Sequence, residues 1–176
     1  LHGTGKVTGA PTIAQAGLGL ETRAADVPGA QRQNTEIMNA FLVKIRELGI
    51  APEDMQTTSY NVQPNYRYDS STSAQTIDGY VVAQQVTVKI RDLTKIGAVL
   101  DAAGTAGLNQ VSGLNFTIDD PEALRAEART KAIAQVRDEA TRMSKALGVR
   151  LGRVVAVNEY KPDYGYQPYA LERGFA

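Results

Sequence analysis

The sequence predicts an α+β protein. The expected architecture is a ferredoxin-like βαββαβ two-layer sandwich, an antiparallel sheet with helices on one face, extended by a long third helix and a further strand. Three observations carry this. Apolar residues alternate at period two near residues 12–21, 56–68, 80–91 and 110–118. They recur at helical spacing over about 27–48, from Asp92 to Ala103, and from Pro121 to Leu147. The order along the chain is β-β-α-β-β-α-β-α-β, with βαββαβ spanning about 12–118.

Residues 1–10 are glycine-rich and lead into Pro11, so Gly3 to Gly9 reads as a glycine-bent edge strand. In the next strand Ala14, Ala16, Leu18 and Leu20 share one face; Gln15, Gly17, Gly19 and Glu21 share the other. Asp26 caps the first helix, with Pro28 in its first turn. Ala30, Ile37, Phe41, Ile45 and Leu48 make its stripe, with Met38 and Leu42 alongside, and Gly49 suits a left-handed end. Pro64 marks the strand over 56–68 as an edge or bulge. A polar loop over 69–76 joins it to a strand carrying Tyr80, Val82, Val86, Val88 and Ile90.

Asp92 caps a shorter helix with Leu93, Ile96, Leu100 and Ala103 inside, ended by Gly104 and Gly107. The strand over 110–118 places Ser112, Leu114, Phe116 and Ile118 on one face. Asp119-Asp120-Pro121 then starts the long helix, which stops at Gly148. Its narrow stripe is Leu124, Ala128, Ala132, Val136, Ala140, Met143 and Leu147, and the alanines allow close approach of a partner. Glu127 with Lys131, and Asp138 with Arg142, are i,i+4 pairs on the wet side. A last strand covers Arg153 to Glu159. Residues 1–159 form one domain, built as a single unit or as two interlocked α/β subdomains, and 160–176 form a Tyr/Pro-rich tail or arm.

Composition removes several function classes. The 19 Lys and Arg balance 19 Asp and Glu, which argues against a general nucleic-acid binder and against a polybasic membrane anchor. No apolar run approaches the ~20 residues that span a bilayer. With no cysteine there is no disulfide, thiolate zinc site, iron–sulfur cluster or cysteine nucleophile. Leu1 in place of an initiator methionine reads as a processed or cut chain.

No motif carries chemistry. His2 is the only histidine and lacks visible partners, so a Ser-His-Asp triad with Ser59, Ser112 or Ser144 is not expected, and no S-x-x-K occurs. The run from Gly3 to Gly9 misses the phosphate-loop spacing and precedes a strand rather than a helix. Asp119, Asp120 and Glu122 fit a helix N-terminus better than a hard cation. The expectation is therefore no catalytic residue, no metal and no cofactor. The tyrosines stand out instead. Tyr60, Tyr66, Tyr68 and Tyr80 lie on adjacent strands, as core at a sheet end or as an aromatic contact patch. Tyr160, Tyr164, Tyr166 and Tyr169 sit in the tail, as an arm that docks on a neighbouring subunit or as a disordered segment.

Four collinear pieces resemble the SIMPL-domain family: GTGKVTGAPTIAQAGLGLETRA at the start, LGIAPEDMQTTSYNVQPNY from Leu48, DGYVVAQQVTVKIRDLTKIGAVLDAA from Asp78, and the run from Asn109 to Glu159. The resemblance covers about residues 3–159. It implies a secreted or periplasmic bacterial protein, in a family that includes oxidative-stress defence and periplasmic immunogenic proteins, some of them homo-oligomers. It supplies no catalytic residue or cofactor. Family members usually add one more C-terminal strand, and residues 160–176 offer no convincing one. The resulting expectation is a non-enzymatic cell-envelope protein that self-associates into a homo-oligomer, with a link to stress defence. The alternative is a module that binds a small molecule or peptide on a tyrosine-lined sheet face.

Overall fold

A computed structural model of the chain describes residues 1–69 and 74–160. They belong to two compact units: Thr12–Thr117, and Leu1–Pro11 together with Ile118–Ala176.

The Thr12–Thr117 unit contains β1 (Ile13–Ala24), α1 (Val27–Glu47), β2 (Met55–Asp69), β3 (Ala74–Ile90), α2 (Ile96–Ala106) and β4 (Gln110–Thr117). The strands lie in the order β2-β3-β1-β4, every pair antiparallel, which is the ferredoxin-like arrangement that the βαββαβ pattern predicts. Register places Ala14 opposite Ile90, Ala16 opposite Val88 and Leu18 opposite Val86, so the even residues of β1 meet the even residues of β3 on one face. That face and the inner sides of α1 and α2 form the core, in which Leu18, Phe41, Ile45, Val86, Ile90 and Val99 are fully buried.

α1 begins where the Asp26 carboxylate accepts the Gly29 N–H at 2.6 Å, with Pro28 in the first turn. It ends at Gly49, whose φ of +84° suits a residue without a Cβ. Its buried residues are Ala30, Asn34, Met38, Phe41 and Ile45. Asn34 is the polar member that apolar spacing passes over. Its Nδ2 donates to the carbonyls of Leu20 (3.4 Å) and Val82 (3.3 Å), tying α1 to β1 and β3. Thr22 Oγ1 in turn donates to the Ala30 carbonyl at 2.8 Å.

Asp92 caps a 3-10 turn over Leu93–Lys95, and α2 follows it, ending at Gly107 rather than Gly104. β3 also starts earlier than expected: Gln75 and Thr76 of the predicted polar loop pair with Tyr68 and Arg67. Cross-strand pairing overrides their polar character. In β4 a register shift against Gly17/Leu18, with Gly113 at φ +140°, separates Ser112 from the face of Leu114 and Phe116. Ser112 Oγ instead meets Gln85 Nε2 on the face away from the helices.

The other unit is built on α3 (Glu122–Leu147). The Asp120 carboxylate accepts the Glu122 N–H at 3.0 Å, and Gly148 at φ +67° closes the far end. Residues 1–10 join no sheet among the described residues, against the expected edge strand. They run along α3 instead, with Gly3, Gly5 and Val7 half-buried and Thr4, Lys6 and Thr8 exposed. A Cβ at Gly5 would overlap the Ala128 carbonyl, and one at Gly9 would stand 2.8 Å from Leu124 Cδ1. The glycines therefore exist to let this segment lie against the alanine stripe. Met143 and Leu147 extend that stripe in the sequence but are exposed, because the N-terminal segment does not reach them. Lys131 pairs with Glu127 as expected (2.7 Å), whereas Arg142 pairs with Glu139 rather than with Asp138. Residues 153–159, expected as a strand, form no ladder among the described residues.

Candidate interaction surface

β1 pairs with β3 only as far as Ala24 opposite Tyr80. β2 and β3 continue past that point as a two-stranded ribbon: Tyr66 opposite Ile77, Arg67 opposite Thr76, Tyr68 opposite Gln75 and Asp69 opposite Ala74. The ribbon begins at a bulge between Pro64 and Tyr66, where Gly79 takes φ +111° and a Cβ would stand 2.5 Å from the Ala24 carbonyl oxygen. No other residue type fits this bend without strain.

The hairpin gathers all four strand tyrosines named by the sequence, but not as core. Tyr60 and Tyr66 are half exposed, Tyr68 is 66 % exposed, and Ile77 beside Tyr66 is 54 % exposed. Tyr80 is partly covered, at the level where β1 ends. One ion pair lies along the ribbon, Arg67 to Asp78 at 3.4 Å. The outer side of β2 faces no strand among the described residues, and its bulges at Thr57/Ser59 and Pro64/Tyr66 break that edge into short runs. Pro64 removes a donor as well. Ser59–Pro64 is the run between the bulges, and Tyr66–Asp69 is the run beyond the second, in the ribbon. Tyr160 is 87 % exposed; Tyr164, Tyr166 and Tyr169 lie outside the described residues.

The remaining candidate chemistry is dispersed. His2 is exposed and its ring meets Thr4 Oγ1 at 3.2 Å. Among the described residues no group of three His, Asp or Glu side chains converges as a metal set. A hollow of about 280 Å³ is lined by Ile50, Asp54, Lys89, Arg91, Asp92 and Lys95. Its charges are used structurally. The Asp54 carboxylate, 4 % exposed, accepts from Arg91 Nε at 2.8 Å and from Arg91 Nη2 at 2.9 Å. Lys95 Nζ donates to the Leu48 carbonyl at 2.8 Å, holding the C-terminus of α1. The Asp92 carboxyl lies below its ordinary range because the Thr94 hydroxyl and N–H both donate to it, with the Lys95 charge assisting. Sequence reading passed over this clamp because its members come from a turn, the end of β3 and the start of α2. No local spacing links them.

No helix among the described residues is long and apolar enough to cross a membrane. The chain matches the SIMPL family model, described as a protein of unknown function (DUF541), over residues 1–175. It is 36 % identical over 160 residues to the 26 kDa periplasmic immunogenic protein of Brucella melitensis, a match covering 89 % of this chain and 64 % of that protein. The chain thus spans less than two thirds of that relative's length. A second similar protein is Uncharacterized protein YggE of Escherichia coli strain K12, 28 % identical over 166 residues, covering 94 % of this chain and 67 % of that protein. With the family model matched nearly end to end and the ferredoxin-like unit in place, the chain belongs to the SIMPL family.

Proposed function

We propose that this chain is a non-enzymatic protein of the bacterial periplasm that associates with copies of itself. The observation that carries the reading is the β2–β3 ribbon. It extends beyond its own sheet, presents Tyr66, Tyr68 and Ile77 to solvent, and ends a strand whose outer backbone faces no strand among the described residues. Amphipathic aromatic side chains beside an open strand edge suit strand-to-strand or face-to-face contact with a second hairpin. Symmetric closure is the usual outcome for such a surface. The periplasmic assignment rests on the printed name of the Brucella relative. Any part in stress defence is indirect, because the chain has no redox cysteine and a methionine such as the exposed Met143 is merely consumed by oxidant.

The test is solution mass by light scattering after size exclusion. It is run on the chain, on a Tyr66→Ser, Tyr68→Ser, Ile77→Ser variant, and on a chain ending at Glu159. An assembly that dissociates in the triple variant supports the hairpin as the contact. One that dissociates only on truncation moves the contact to residues 160–176. A monomer at micromolar concentration in every case overturns self-association. It would favour the second reading, an extended peptide added to the Tyr66–Asp69 edge, which a stabilising shift in unfolding temperature on peptide addition would reveal.

A further inference from the structure

β4 is shorter than the strand it lines. It pairs with β1 from Ile13 to Gly19, whereas β1 continues to Ala24. Residues 20–24 therefore have β3 on one side and no strand on the other among the described residues. Such an overhang is a sheet edge with backbone donors and acceptors to offer. The register of β4 does not fill it. Gln110 stands opposite Gly19, so Leu108 would stand opposite Glu21. The Leu108 N–H is committed elsewhere: it donates to the Ala103 carbonyl at 3.0 Å, closing the end of α2 after Gly107 at φ +100°.

The side chain of Asn109 takes that place. Its Nδ2 donates to the Glu21 carbonyl at 2.8 Å, and its Oδ1 accepts the Glu21 N–H at 2.9 Å. The Asn109 N–H donates to the Gly19 carbonyl at 3.2 Å. A carboxamide carries the same donor and acceptor as a peptide group, so Asn109 adds one rung to the ladder from a side chain. Both polar groups of Glu21 thus point to the open side. By the alternation of an antiparallel strand, Arg23 turns its groups the same way, and Leu20, Thr22 and Ala24 turn theirs to β3. The Glu21 carboxylate fences the rung, accepting from Arg23 Nη2 at 2.8 Å and from Gln110 Nε2 at 3.4 Å. Gln110 reaches over β1 because Gly19 has no side chain; a Cβ there would stand 3.1 Å from Gln110 Cβ and Oε1.

We infer that the Asn109 carboxamide is an internal occupant of a strand-addition site on β1. It holds the place beside Glu21 and Arg23 that an extended segment of a second copy would take. A side chain ends after one rung and offers no further backbone, so the sheet stops there. The inference does not depend on the hairpin or on self-association.

The test compares the full chain with Asn109→Ala. Amide exchange at Glu21 is expected to rise about tenfold or more, with Leu20 and Thr22, whose amides face β3, unchanged. Whatever the native mass in solution, light scattering is expected to give the variant about twice that mass at high concentration. Adding Arg23→Pro removes the other outward N–H and leaves the bonds to β3, so it is expected to restore the native mass. Asn109→Ser takes the place of Asn109→Ala if exchange at Val86 and Val88 shows that the latter does not fold. An unchanged Glu21 amide overturns the inference, as does native mass in a folded variant whose Glu21 amide is fast. A gain in mass that survives Arg23→Pro also overturns it, because the new contact then lies elsewhere.

Discussion

Asp54 is the most buried carboxylate in a described ion pair, and Arg91 is the group that makes its burial tolerable. Removing the guanidinium leaves a charge inside the fold with two hydrogen bonds lost. Arg91 is itself half exposed, so water offsets part of the loss. Arg91→Ala is expected to cost about 1–3 kcal/mol in urea unfolding, and Asp54→Asn less, since the amide retains an acceptor and carries no charge. Asp92 sets a pH dependence of definite sign. Hydrogen bonds from Thr94 lower its folded pKa below the unfolded one, so its contribution is complete above the ordinary carboxylate value of about 4 and fades as pH falls through the folded value. Thermal unfolding of the chain and of Asp92→Ala should therefore differ most near neutral pH, and the gap should narrow below about pH 4.

At the scale of elements, the bend of the hairpin depends on one backbone conformation. Gly79 combines a positive φ with a carbonyl where a Cβ would sit. Gly79→Ala is expected to destabilise the protein by about 1–3 kcal/mol and to speed amide exchange first in the paired segments Tyr66–Asp69 and Ala74–Ile77. An equal change throughout the sheet would show that the ribbon is not a separate element. α3 poses the opposite case. Its charged surface and glycine end make it a helix without help, yet the N-terminal glycines decide what it packs against.

At the scale of the whole molecule, the prediction concerns mass. The triple substitution at Tyr66, Tyr68 and Ile77 should reduce the solution mass to that of one chain while leaving the unfolding midpoint nearly unchanged. These three side chains are exposed and hold nothing in the core. A shared fall in mass and stability would mean that the hairpin supports its own fold rather than a partner.

The sequence by itself determined the periodic elements and their order. Ala14, Ala16, Leu18 and Leu20 declared a strand, the Asp26 cap and Gly49 bounded a helix, and βαββαβ narrowed the sheet to one topology. Those are local signals, set by side-chain period and backbone freedom. It also singled out the strand tyrosines, as core at a sheet end or as a contact patch, and the alanine stripe as a face that allows close approach of a partner. Only the tertiary structure decided which partners they have. It placed Tyr66 and Tyr68 outside the core by carrying the hairpin past the end of β1, and it laid residues 1–10 on α3 rather than in a sheet. It also joined Asp54 to Arg91 across 37 residues and put Asn34 among the core contacts of α1. The physical reason is common to these cases: each depends on which distant segment fills the space beside a residue, and no spacing along the chain encodes that.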